Sequence, residues 1–79
     1  MTLEHIREVR DSIPFKPFTI HLADGRSHRV PHRDFLLLPP SGRIMFLHQI
    51  DESFRIIDLL LVTEVSVEVL PPVTSNSAN

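Results

Sequence analysis

The segment Phe18-Thr-Ile-His-Leu-Ala-Asp-Gly-Arg-Ser-His-Arg-Val30 constrains this chain more than any other. Apolar and polar residues alternate on both sides of Asp24-Gly25, which is the pattern of a β-hairpin. Two registers compete. A two-residue Asp24-Gly25 turn sets Leu22 against Ser27 and Ile20 against Arg29, mixing apolar and charged side chains on one face. A three-residue Ala23-Asp24-Gly25 loop, with Gly25 in the left-handed position of a bulge, sets Leu22 against Arg26, Ile20 against His28 and Phe18 against Val30. Only the second brings Val30 to the face of Phe18, Ile20 and Leu22. A slip of one residue would turn that face over, so the three-residue loop is the predicted register. It sends His21 and His28 to opposite faces.

Before the hairpin, Thr2 is a candidate N-cap, and Glu4 and Glu8 stand early in a helix with Arg7 and Arg10 after them. Leu3, Ile6, Val9 and Ile13 are spaced for one helical face. Pro14 and Pro17 stop the helix, so the spacing predicts residues 2–12. After the hairpin, Pro31 ends the strand and residues 32–38 read as a single helical turn. The apolar run Ile44-Met-Phe-Leu47 predicts a central strand, followed by a turn at residues 50–53 and a strand from Phe54 to Asp58. A one-turn 3₁₀ segment is expected at Leu59–Leu61. Val65, Val67 and Val69 then alternate with Glu64, Ser66 and Glu68 in a last strand.

These elements predict a mainly β (α+β) domain. A short N-terminal helix precedes a five-stranded antiparallel sheet, either strongly bent or closed into a small SH3-like or Sm-like barrel. The chain has 79 residues, enough for one core and not two. The domain is expected to span residues 1–70, with 71–79 a disordered tail rich in Ser, Thr and Asn. No stretch approaches the about 20 apolar residues of a membrane span, and the N-terminus lacks a basic-then-apolar signal region. The expectation is a soluble, cytoplasmic chain with no membrane partner. The absence of cysteine excludes disulfides and thiolate chemistry.

Helix, Pro-Phe-x-Ile-x-Leu-x-Asp-Gly-Arg (residues 17–26), Val-Pro-His-x-Asp-Phe (30–35), Ser-Gly-Arg (41–43) and Ile-Asp-Leu-x-x-Val-Thr-x-Val (57–65) follow one another in an order that resembles a family of short bacterial proteins of unassigned function. That likeness implies a single domain and no particular activity. A second likeness is to Sm-like RNA-binding barrels, which share a helix followed by a strand like Ile20-x-Leu-x-Asp-Gly-Arg26 and a later Asp such as Asp34. The chain departs from them at Pro31, where glycine is usual, and Gly42-Arg43 reverses their Arg-Gly signature.

Four kinds of chemistry can be weighed from the residues. His28, His32 and Asp34 carry imidazole and carboxylate groups that suit Zn²⁺, although Val30-Pro31 between them gives the rings no reason to converge. Solvated histidines on a half-buried hairpin account for them better, and no metal or other cofactor is assigned. Arg26, Arg29 and Arg33 could face nucleic-acid phosphates, yet single-strand binding wants aromatic platforms beside the charges. The chain has no Trp or Tyr, and its five Phe residues are expected mostly in the core. Catalysis has no nucleophile motif and, with only Gly25 and Gly42, no glycine-rich phosphate loop.

The last strand offers the fourth reading. Glu64, Val65, Val67 and Val69 lie on a terminal edge that can pair with another chain. Charge is also uneven: Lys16 to Arg43 holds five basic residues and two acids, whereas Asp51 to Glu68 holds five acids and Arg55 alone. The sequence therefore points first to a non-enzymatic interaction or assembly module, joining copies of itself or another protein through sheet edges. Its alternative is a nucleic-acid-binding small barrel using Arg26, Arg29 and Arg33.

Overall fold

A computed structural model describes residues 1–69 of the chain. The expected tail, residues 71–79, and the expected domain end at residue 70 lie outside the described residues. The helix α1 runs Leu3–Asp11, with Thr2 Oγ1 accepting from the His5 N–H at 3.3 Å. Ile6 is buried, with Leu3 and Val9 packed beside it. Ile13, expected on the same face, is 90% exposed, because the helix has already ended at Ser12 and no longer holds its phase.

Among the described residues six strands follow: β1 (Phe18–Leu22), β2 (Ser27–Val30), β3 (Leu36–Leu37), β4 (Ile44–His48), β5 (Phe54–Asp58) and β6 (Val62–Val67). They form two three-stranded antiparallel sheets, ordered β2-β1-β6 and β3-β4-β5. The expected single five-stranded sheet or closed barrel is thus replaced by two sheets of three. Two 3₁₀ turns explain the division. Arg33–Phe35 carries the chain from β2 to β3, and Leu59–Leu61 carries it from β5 to β6. Each is capped by a side chain, with His32 Nδ1 facing the Asp34 N–H and Asp58 Oδ1 accepting from the Leu60 N–H at 2.9 Å. The predicted helical turn over residues 32–38 is shorter than expected, since Leu36 and Leu37 pair with Leu47 and Phe46 as β3.

The β1–β2 register is that of the three-residue loop: Phe18 faces Val30 and Ile20 faces His28. Leu22 donates its N–H to the Arg26 carbonyl at 2.8 Å, and Gly25 takes φ +94°. A Cβ on Gly25 would meet nothing within 4 Å, so only the backbone resists substitution. Gly25→Ala should therefore cost about 1–2 kcal/mol through the left-handed conformation alone, read as a lowered midpoint in chemical denaturation.

The core lies between the sheets. Phe18, Ile20, Leu22, Val30 and Val62 come from the first sheet, and Leu36, Met45, Leu47 and Ile57 from the second, with Leu59 and Ile6 completing it. Every side chain buried in this core is apolar. Of the phenylalanines only Phe18 is buried; Phe15 and Phe35 pack at its margin, and Phe46 and Phe54 lie on the other side of β4 and β5.

Candidate functional site

The two sheets treat their outer faces differently. On β2-β1-β6 the outward side chains are polar, and His21, Arg29, Glu64, Ser66 and Glu68 are bonded among themselves. His21 Nε2 lies 2.9 Å from Ser66 Oγ, and that hydroxyl donates to Glu64 Oε2 at 3.3 Å, so His21 is the donor in the pair. Arg29 reaches across β1 to Glu68, Nε to Oε2 at 2.6 Å and Nη2 to Oε1 at 3.1 Å. The guanidinium holds the Glu68 carboxyl below its ordinary range, and the carboxylate raises Arg29 in turn. This is a solvated face that satisfies itself.

The three arginines of the nucleic-acid reading stand apart. Arg26 closes the hairpin turn, with its N–H on Asp24 Oδ1 at 3.0 Å and its Nε on Oδ2 at 2.8 Å. Those bonds, the backbone one foremost, hold Asp24 below the usual carboxylate range. Arg29 is held by Glu68. Arg33 lies 5.6 Å over the Phe15 ring and donates Nη2 to the Ser12 carbonyl at 3.0 Å. A turn, a sheet face and a helix end each take one arginine, so they do not form one basic surface.

The metal candidates also separate. His32 and Asp34 are neighbours in one capped turn, Nδ1 to Oδ2 3.7 Å. His28 stands on β2 opposite Ile20, at the margin of the core. Among the described residues no three His, Cys, Asp or Glu side chains gather as a metal site. Burial keeps the His28 ring below its ordinary 6.5, reinforced by the charges of Arg55 and Arg26. The folded chain thus prefers neutral imidazole. As pH falls below 6.5 the unfolded chain takes up a proton that the folded one resists, so stability declines. His28→Gln should flatten the fall in melting temperature between about pH 7 and pH 5, followed by circular dichroism. The lowered carboxyls of Asp11, Asp24, Asp51 and Glu68 act in the acid range below that window.

On the last strand, Val65 faces Ile20 and packs against the core, and Val67 faces Phe18. Val69 lies beyond β6, which ends at Val67. Glu64 accepts from Ser66, and Glu68 is bonded to Arg29 of its own chain. The β6 edge is therefore flanked by carboxylates on its outward side.

The outward face of β3-β4-β5 is mostly apolar, with His48 and Asp58 as its polar members. Leu37 pairs with Phe46 and Phe46 with Ile56, which makes one transverse row across all three strands. Leu37 is 61% exposed and Ile56 63%. Ile44 pairs with Asp58 and His48 with Phe54 on either side of this row. Phe35 meets His48 edge-on at 6.0 Å, and the two rings join Leu37, Phe46 and Phe54 around a shallow depression rimmed by Asp34. Sheets exposed on one side normally carry polar residues there, as β2-β1-β6 does; a sheet apolar on both faces is ordinarily covered on both.

None of the candidate residues named from the sequence lies on this face, except for Asp34 at the rim of its depression. Its signal was present: the unbroken Ile44–Leu47 run supplies apolar side chains to both sides of β4, while Phe54 and Ile56 share the side opposite Ile57. Among the described residues no helix is long and apolar enough to cross a membrane. No family model, curated protein or solved structure matches the chain.

Proposed function

We propose that the protein is a non-enzymatic assembly module that associates through the β3-β4-β5 sheet, by the β5 edge that no other strand among the described residues covers and by the apolar face beside it. The observation that carries this reading is the row Leu37–Phe46–Ile56, with Leu37 and Ile56 exposed and Phe46 half-buried between them, on a sheet whose opposite face already fills the core. The other sheet supports it by contrast, since the same chain builds a polar, internally bonded outer face there. Association removes exposed apolar area of the β3-β4-β5 face from water, which is favourable by about 25 cal/mol per Å². A domain this small gains stability from that covering.

Light scattering with refractive-index detection tests the reading, because a chain without Trp or Tyr absorbs almost nothing at 280 nm. A discrete oligomer with a flat 260 nm trace is expected. A monomer from micromolar to millimolar concentration would overturn self-assembly. A co-eluting 260 nm peak that nuclease removes would transfer the function to nucleic-acid binding.

A further inference from the structure

We infer that the partner at β5 is a second copy of this chain, paired antiparallel about a two-fold axis through Ile56. This rests on the assembly reading above and specifies its geometry. The backbone phase comes first. Gln49 donates its N–H to the Ser53 carbonyl at 2.7 Å, and Leu59 donates to the Arg43 carbonyl at 2.8 Å. Both pairs continue the β4–β5 register, in which Ile44 faces Asp58 and His48 faces Phe54. An antiparallel ladder alternates between bonded and non-bonded pairs. Residues 53, 55, 57 and 59 are thus turned toward β4, and the backbone groups of Phe54, Ile56 and Asp58 point to the edge of β5 that no other strand among the described residues covers.

Three centres are available to a two-fold pairing within this short strand. A centre at Arg55 opposes two guanidinium groups directly. A centre at Ile57 carries Phe54 past the end of its partner strand and leaves it unpaired. A centre at Ile56 places Ile56 against Ile56, Phe54 against Asp58 and Arg55 against Ile57. All three centres set outward-pointing residues against one another, but only this one keeps all of them within Phe54–Asp58, exchanging about six N–H···O=C bonds. The two Arg55 residues become diagonal neighbours, about 7–8 Å apart, with room to diverge.

The remaining edges are each protected in a way β5 is not. The outward residues of β2 include Ser27 and Arg29, the latter fixed to Glu68. β3 is two residues long and Pro39-Pro40 follow closely. Self-pairing of β6 would bring Glu64 and Glu68 of both copies onto one face. Charges, prolines and short length are the usual devices that keep strand edges apart. On β5 the outward side chains at and before the centre are Phe54, 60% exposed, and Ile56.

Continuity gives the last argument. The row Leu37–Phe46–Ile56 reaches the edge on an apolar residue and stops there. A two-fold axis perpendicular to the sheet keeps both apolar faces on one side. Pairing at Ile56 therefore extends the row across six strands, about 24 Å at the usual strand spacing. Strand addition draws its affinity from main-chain bonds as well as area, so a five-residue edge suffices where a side-chain patch alone would be small.

Single cysteines test this cleanly, since the chain has none of its own. A bonded antiparallel pair holds its Cα atoms about 5.5 Å apart, within disulfide reach. Ile56→Cys should form a covalent dimer under mild oxidation. Phe54→Cys alone should not, while a mixture of Phe54→Cys and Asp58→Cys should cross-link as a heterologous pair. Val67→Cys should remain uncoupled. Far-UV circular dichroism verifies that each variant is folded. Phe54→Cys coupling to itself would overturn the register. Val67→Cys coupling while Ile56→Cys does not, in a chain that scatters as an oligomer, would overturn the β5 edge and leave the assembly reading standing. A monomeric unaltered chain would remove both.

Discussion

Phe18→Ala should leave the chain largely unfolded at 25 °C, whereas Phe54→Ala should leave the subunit folded. The substitution is the same; the surroundings are opposite. Phe18 is wholly buried at the junction of β2, β1 and β6, facing Val30 on one side and Val67 on the other. Removing a buried phenyl ring costs about 3–5 kcal/mol through lost transfer energy and the cavity left behind. A core of this size rarely holds more than about 3–5 kcal/mol in total, so the loss is comparable to the whole. Phe54 is more than half exposed on the outer face of β5 and has little packing to lose. Urea titration by circular dichroism separates the two, and a Phe54→Ala variant as unstable as Phe18→Ala would show that the outer face is part of the core.

Ile56→Lys should dissociate the assembly without unfolding its subunit. In the two-fold pairing the new ammonium groups face each other directly, at the point where the apolar row crosses the junction. Opposed like charges and a lost central anchor together should weaken association by roughly 30-fold or more, the scale of an interface hot spot. The subunit keeps its ladder to β4, because the Ile56 side chain stands on the outer face and the Ile57 side chain fills the core. Light scattering over a concentration series measures the shift. Val67→Lys is the matched control on the β6 edge, and it should leave the association unchanged. Dissociation by Val67→Lys and not by Ile56→Lys would move the interface to the other sheet.

The hairpin was legible because its turn is chemically specific. Gly25 permits a left-handed residue, and a three-residue loop is the one register that gathers Phe18, Ile20 and Val30, as found. Thr2 marked the start of α1, and Leu59–Leu61 formed the expected 3₁₀ turn. β3 escaped notice because two residues cannot display a period, and with it went the division into two sheets. The β6 pattern suggested a strand centred on the valines, but β6 begins at Val62, and Val69 falls beyond its end. The bulge between His21 and Leu22 shifts the β1–β6 register and brings Val62 against Leu22.

The candidate surface was harder to see for a different reason. Phe46 and Phe54 were expected inside because apolar residues usually are. Which of the two faces of β4 and β5 meets the core depends on tertiary packing, and Met45, Leu47 and Ile57 occupy it. Conversely, Arg26, Arg29 and Arg33 lie close together in sequence. They part company because each finds a nearer acceptor: Asp24, Glu68 and the Ser12 carbonyl. Proximity along a bent chain gave little warning of that.

The central position of β1 sets the pace at which this molecule forms. Its first partner, β2, arrives after one turn, but Phe18 waits for Val67 and His21 for Glu64, each more than forty residues away. Closure of so long a loop loses its entropy before the ladder bonds return any free energy, which slows folding relative to local pairing. The β3–β4–β5 meander carries no such delay. Completion of the fold is consequently the docking of β6 onto β1. A cut between Asp58 and Val62 leaves one intact sheet and one strand pair whose inner edge stays open.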